Sequence, residues 1–473
     1  MPIVIRHFVM YIFVAILSVY AWKDWFKSLC GLILLTALVK RYDFPTSVGS
    51  IQGLNLWNIL FANVFVAWLV TRRHQGFFWD MPRNVNVFLV LWLVVILVGW
   101  ARMMFGGDRP EDLTLANLIS ERLINTIKWP LLALPLFDGC RTRHHVKLAL
   151  ACILLLSALF VVQLVRYVPP MVILEPGNLR HRGNIPSDIG ISINNASKMM
   201  SGVPWAMLTI MPLLKRHKYR FLMLGACVTS LYALALTGGR SGLIGCGMTY
   251  LLLCVLRWRR YLILLPLLVL IAFIALPGAS TEMLYGFDEI DVTGEKTVNS
   301  YMFTTGRNVI WPHVFAKIRE TPIIGHGREA TRRTGLREQF RAEDKDVDVA
   351  HPHSAYLEAL LDNGLIGFVV IVGLHTLIWA YSVRLFVDRG DPMCAVGGGF
   401  ALALLTGHLV AYMGGQSFYP EVTDVGLWCA IGVMLRVHVE RDRLSPGRMT
   451  LAAGTHITKD IIVSQTPLGW ANL

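Results

Sequence analysis

The chain has 473 residues and a formal net charge of +13; 55% of its residues are hydrophobic and only 16% are charged. A soluble domain carries about a quarter charged residues, so this composition excludes a soluble enzyme, a disordered chain and a disulfide scaffold. It predicts a polytopic membrane protein. The positive balance is not a nucleic-acid signal, because Lys and Arg sit in short clusters between apolar stretches, as in cytoplasmic loops. All eight cysteines lie in or beside apolar stretches, and the one long polar segment has none. No disulfide framework is implied there.

Taken in chain order, candidate spans fall at 6–22, 25–39, 54–71, 85–105, 123–139, 148–168, 199–214, 221–237, 241–256, 261–279, 364–383, 394–413 and 424–437. A crossing needs about 20 apolar residues, so the short first pair and the short last segment leave an all-α fold of about 12 transmembrane helices. The first segment could pass as a signal peptide with Ser18-Val19-Tyr20-Ala21 as its cleavage site. The many spans behind it make it a retained helix instead.

Basic clusters occur at every second loop: Arg72 and Arg73; Arg141, Arg143 and Lys147; Lys215, Arg216, Lys218 and Arg220; Arg257, Arg259 and Arg260; and the segment after Arg436. The positive-inside rule turns these to the cytoplasm. Loops 106–122, 169–198, 238–241, 280–363 and 414–423 then share the outer side. Thirteen spans place the N-terminus outside, and twelve place it inside. The chain divides into membrane helices with an outer loop at 169–198 (1–279), a large outer loop between the fourth-last and third-last spans (280–363), the last helices (364–437) and a cytoplasmic tail (438–473).

Within the large loop, Ile310, Trp311, Val314, Phe315 and Ile318 share one helical face. Thr321-Pro322 and Gly325-His326-Gly327 end that helix. A second helix near 354–361 carries Leu357, Leu360 and Leu361, and Asn363-Gly364 closes it and opens the next span. These amphipathic helices are expected to lie on the membrane surface, over the mouth of the bundle. The pattern shows neither the internal repeats nor the broken spans of a transporter.

Four stretches carry candidate chemistry. Thr237-Gly238-Gly239-Arg240-Ser241-Gly242 joins two spans with almost no loop. Its glycines admit a close approach, and Arg240 offers a planar fork suited to phosphate. A tight hairpin with a snorkelling arginine would look the same. Arg307, in Thr304-Thr305-Gly306-Arg307, opens the amphipathic helix, where exposed N–H groups favour anions; a solvated arginine is the plainer reading. In His351-Pro352-His353-Ser354 a histidine can serve as general base, or both can be caps. The i, i+2 spacing is not that of a helical zinc site, and no ligand-spaced Cys or carboxylate stands beside it. Arg180 and Arg182 flank His181 in outer loop 169–198; they could hold phosphate or be surface charge. No Walker, Gly-x-Ser-x-Gly or Rossmann motif is present.

Three of these stretches together resemble the O-antigen ligase and polymerase superfamily of bacterial membrane glycosyltransferases. The residues that carry the resemblance are Thr237 to Gly242, then Gly306-Arg307 through Trp311 to Pro322-Ile323-Ile324-Gly325-His326-Gly327. Next come His351-Pro352-His353-Ser354 and Asn363-Gly364-Leu365-Ile366-Gly367. The chain departs at Ser354, where the family more often has asparagine. The resemblance implies a GT-C-like enzyme of the inner membrane, with its active site facing the periplasm. Such an enzyme moves a glycan from undecaprenyl diphosphate to lipid A-core or to a growing glycan, with no metal, nucleotide or other cofactor. It implies Arg240 and Arg307 as donor-diphosphate ligands and His353 as base. Arg182, with His351 and Arg180 in support, would complete the set. The competing classes are a lipid-linked glycan transporter or flippase, and a non-catalytic scaffold.

Overall fold

The computed structural model describes residues 3–444, apart from 46, 49–52, 107–112, 169–189, most of 265–305, 344–348, 350 and 416. The described residues are overwhelmingly helical. Six helices are long and apolar enough to cross a membrane: Arg83–Phe105, Arg143–Tyr167, His217–Thr237, Ala355–Phe386, Pro392–Ala411 and Val422–Arg441. Val4–Tyr20, Trp25–Leu38 and Arg240–Leu256 are shorter apolar helices. Helices satisfy every backbone group within the segment, which hydrocarbon demands. The candidate span at 261–279 lies largely outside the described residues.

The basic clusters of alternate loops gather at one end of the bundle. Asp138 receives Arg72 at 2.9 Å and Arg141 at 2.6 Å. Arg143 meets Asp391 at 2.9 Å, and Arg441 meets Asp388 at 2.5 Å. Arg257 donates to the Phe386 carbonyl at 2.7 Å. Arg6 pairs with Asp43 at 2.8 Å, and Arg41 donates to Tyr167 at 3.0 Å. The first two apolar helices are therefore a hairpin that starts and finishes beside Tyr167, at the end opposite the basic clusters.

Two expected single spans are broken. The stretch 123–139 is a π-helical turn, Ser120–Ile124, then two short helices, Asn125–Leu131 and Ala133–Gly139. Pro130 lacks the N–H that would continue the ladder, and its ring clashes with the preceding turn. The stretch 199–214 is α1 (Ile193–Met200), then α2 (Val203–Thr209), then a 3₁₀ turn. Pro204 opens the second helix, a position where its fixed φ is suited. The joining residues Leu132, Ser201 and Gly202 keep right-handed helical φ/ψ, so each stretch is two short helices set end to end. Hydropathy summed over a window does not register a break between two apolar half-helices.

The expected pair of elements at 354–361 and 364–383 is present as two helices that abut within Ala355–Phe386 (α3) and are separated by a kink at Gly364, as Asn363-Gly364 suggested. Gly364 has φ +61° and ψ −168°, a region essentially closed to other residues. The backbone groups released by the break find partners in segment 322–327. Leu365 N–H donates to Pro322 O at 2.8 Å, and Ile366 N–H to Ile323 O at 3.2 Å. In return His326 N–H reaches Leu361 O at 2.8 Å, and Gly327 N–H reaches Asp362 O at 2.7 Å. The Pro-Ile-Ile-Gly-His-Gly stretch is therefore a strap over the break. Gly364→Ala is expected to cost about 1–3 kcal/mol in backbone strain, and its Cβ would also strike the Ile323 backbone. Thermal unfolding of the purified protein should show a lowered Tm; an unchanged Tm would mean that the break relaxes freely.

The loop carries its own small core. The first loop helix, α4 (Arg307–Glu320), buries Ile310 and Val314 against Ala330, Leu336, Phe340 and Leu361. Trp311 and Ile318 pack at its edge, whereas Phe315 is 44% exposed. The apolar face expected to rest on lipid is covered instead by the loop's next helices, α5 (Ala330–Arg333) and α6 (Leu336–Glu343), and by the start of α3. Helical spacing identifies a face to be buried but not what buries it.

Candidate functional site: a cationic mouth

The helix His217–Thr237 ends on left-handed Gly238, and α7 (Arg240–Leu256) begins two residues on. Gly239 and Gly242 lie against Ser197 of α1, whose Oγ donates to Gly239 O at 3.2 Å. A Cβ at Gly242 would strike both the side chain and the backbone of Ser197. These glycines serve helix-to-helix approach, where the sequence suggested approach by a ligand. They fix the half-buried Arg240 at the helix start.

Arg307 opens α4. Its Nη2 donates to Gly414 O at 3.0 Å and its Nε to His353 O at 3.4 Å. Gly414 also lies against Ser241, so the starts of α4 and α7 meet at one loop. Burial, and then the positive charge of nearby Arg240, lower the pKa of Arg307 from its ordinary value. Among the described residues Arg307 forms no ion pair. Arg240 lies close enough for its charge to act on Arg307, and a planar guanidinium fork suits an anion with two or more oxygens.

The histidine turn is held from three sides. Trp311 Nε1 donates to Pro352 O at 3.0 Å. Ala355 N–H donates to Tyr412 O at 3.0 Å. Arg307 holds the His353 carbonyl. His353 itself sits at φ +54°, an uncommon conformation for a side-chain-bearing residue. Its N–H donates to His351 Nδ1 at 3.3 Å, and the two rings stand 4.6 Å apart, edge to face. Ser354 Oγ accepts from Leu357 N–H at 3.5 Å and caps α3. Serine and asparagine are equally good N-caps, so the departure at Ser354 keeps this cap intact.

Burial, then His351, then the Arg307 charge push the pKa of His353 down to about 3. Burial lowers that of His351 as well. The His353 imidazole is therefore neutral near pH 7 and carries a free lone pair.

Arg240, Arg307, His351 and His353 thus lie near one another around the start of α4. Arg180 and Arg182 lie outside the described residues. Sequence reasoning passed over a buried polar group that holds α1 in place. Lys198 Nζ lies 2.9 Å from the Asp424 carboxylate, with His408 Nε2 3.4 Å from it. Asn195 Nδ2 donates to Glu421 at 2.5 Å. A lysine and an aspartate at the rims of apolar segments were the available signal, because intramembrane charge is costly. The Gly414 carbonyl left no sequence signal at all.

The fold is that of a multi-pass helical membrane protein, in which two arginines and two histidines lie near one another as a candidate site. A family model described as O-antigen ligase matches residues 225–372, a stretch that contains Arg240, Arg307, His351 and His353. Over that stretch the chain is similar to the O-antigen ligase and polymerase family. An uncharacterized protein of Haemophilus influenzae (strain ATCC 51907 / DSM 11121 / KW20 / Rd) is 24% identical over 174 residues, covering 33% of this chain and 42% of that protein. The match thus spans less than half the length of that relative.

Proposed function

We propose that the protein is an O-antigen ligase-like glycosyltransferase of the bacterial inner membrane. It moves a glycan from an undecaprenyl diphosphate carrier to a hydroxyl of lipid A-core on the periplasmic side. The observation that carries this reading is the proximity of Arg240 and Arg307 to a neutral His353 at one end of an apolar bundle. The donor diphosphate sits between the two arginines. An acceptor oxygen attacks the anomeric carbon while the bond from that carbon to the phosphate oxygen breaks. Undecaprenyl diphosphate leaves with the electron pair. The arginines offset the charge that grows on it, in place of a metal or nucleotide. His353 takes the acceptor proton. One displacement with inversion follows, and the loop positions both substrates.

The test is transfer by purified protein from a purified lipid-linked donor, with lipid A-core and a free glycan chain offered as competing acceptors. Transfer to lipid A-core supports the ligase. Transfer to the glycan alone makes the protein a polymerase. No transfer to either removes the reading.

The proposed orientation has its own check. All eight native cysteines are buried, so one introduced thiol reports alone. Gln339→Cys, at an exposed loop position, should react with an impermeant reagent in intact cells. His217→Cys, exposed at the basic end, should react only after permeabilisation. The reverse pattern would sink the orientation.

A further inference from the structure

The far end of α7 carries a feature that the transfer reaction leaves unused. After Leu256 the chain turns through Arg257 and Trp258 into a 3₁₀ segment, Arg259–Leu264. Arg257, Trp258, Arg259, Arg260 and Tyr261, together with Arg389 from the turn after α3, line a surface cavity of about 530 Å³. We propose that this cavity is a headgroup site for an anionic glycerophospholipid in the leaflet at the basic end of the bundle. The proposal is independent of the transferase reading. The 17 residues of α7, at about 1.5 Å each, put the cavity about 26 Å from Arg240, so the lipid held here is not the donor.

Charge selects the ligand. Several other arginines at this end meet carboxylates: Arg72 and Arg141 share Asp138, Arg143 takes Asp391, and Arg441 takes Asp388. No carboxylate lines the cavity, and among the described residues none of its four arginines forms an ion pair. Neutral oxygens hold three of them instead. Arg257 Nη1 donates to Phe386 O at 2.7 Å and to Asp388 O at 2.5 Å. Arg259 Nε donates to Val255 O at 3.2 Å, and Arg260 Nη2 to the Tyr261 hydroxyl at 2.8 Å. Such partners fix the forks without cancelling their charge. A guanidinium has five N–H donors, so each fork keeps several for phosphate oxygens.

The surroundings select a lipid over a free anion. Trp258 packs edge to face on Phe386, with ring centroids 5.8 Å apart, and the Tyr250 hydroxyl donates to Tyr261 O at 2.6 Å. The turn is thereby tied to both α3 and α7. Trp and Tyr favour the boundary between headgroups and hydrocarbon, and basic pockets beside membrane helices suit phosphorylated headgroups. Apolar surface continues from the cavity on both sides. Val255 is exposed one helical turn before Arg259, and Ile263, two residues beyond Tyr261, is 80% exposed. Acyl chains would cover these side chains, whereas inorganic phosphate would leave them bare.

The experiment uses purified full-length protein in detergent, with phosphatidylglycerol, phosphatidylcholine or inorganic phosphate added at matched ionic strength. Native mass spectrometry counts the bound lipids. The test variant carries Arg259→Gln and Arg389→Gln, at two exposed positions. A control variant carries Arg216→Gln and Lys218→Gln, which removes the same charge from another exposed loop at this end. Tm and elution volume check folding. A basic residue beside an anionic lipid contributes about fivefold, so the wild type should hold phosphatidylglycerol about tenfold better than phosphatidylcholine, the test variant should lose about tenfold, and the control should lose less than about twofold. Inorganic phosphate should not displace the lipid. Equal retention of both lipids by the wild type, wild-type retention in the folded test variant, or an equal loss in the two variants would each overturn the site. Displacement by inorganic phosphate would overturn the lipid and leave a site for a soluble anion.

Discussion

Arg240→Ala and Arg307→Ala should each lower glycan transfer by about 10²–10³-fold or more, the loss that follows removal of a preorganised group that stabilises developing charge. Both proteins should still insert and elute as the wild type. Arg307 also donates to two carbonyls, Gly414 O and His353 O, so its alanine variant alone could report a displaced turn. The lysine variants separate the two effects. Lysine keeps the charge but replaces a planar fork with a point charge, so Arg240→Lys and Arg307→Lys should also lose most activity. Wild-type rates in both lysine variants would make the arginines ordinary surface charge. Arg182→Ala should give a partial loss.

His353→Ala should lower the rate by about 10²–10⁴-fold, the usual contribution of a general base, and His351→Ala should cost less. His353→Gln keeps a hydrogen bond but takes no proton, so it should resemble the alanine variant. EDTA should leave the rate unchanged.

The pH profile adds a sharper expectation. The base works neutral, so activity falls as pH drops through its pKa. In the free protein that value is about 3, held down by burial, by His351 and by the Arg307 charge. A bound diphosphate brings negative charge beside Arg307 and cancels part of that repulsion. The pKa then rises. The acid limb measured at saturating donor should therefore lie at higher pH than the limb measured at limiting donor. A shift in the other direction would separate the base from the donor site.

The parts of the site that were legible in the sequence are those encoded locally. Arg240 between two spans, Arg307 at a helix start and His353 before a helix could each be seen, and alternating basic loops gave the polarity of the bundle. What completes the site is not local. The two carbonyls that hold Arg307 come from residues 46 and 107 positions away in the chain. Such bonds depend on the tertiary fold and leave no periodicity behind. The face of α4 shows the same limit, since Ile310 and Val314 sit at the expected spacing but their cover comes from Leu336, Phe340 and Leu361. The breaks before Val203 and Ala133 escaped because apolar content continues across them. Lys198 and Asp424 were visible as charges at the rims of spans, but their pairing across the bundle was not.

The strap over Gly364 also bears on how the protein is made. Its two halves leave the ribosome at different times: segment 322–327 first, then the broken helix that receives it. Arg307 and Ala355 wait longer still, for the Gly414 and Tyr412 carbonyls, which follow the helix Pro392–Ala411. Synthesis therefore delivers the arginines and histidines before the supports that aim them. The mouth takes its shape only once the last helices are in the bilayer, so a chain cut short after the loop carries all four site residues and none of the carbonyl supports at Tyr412 and Gly414.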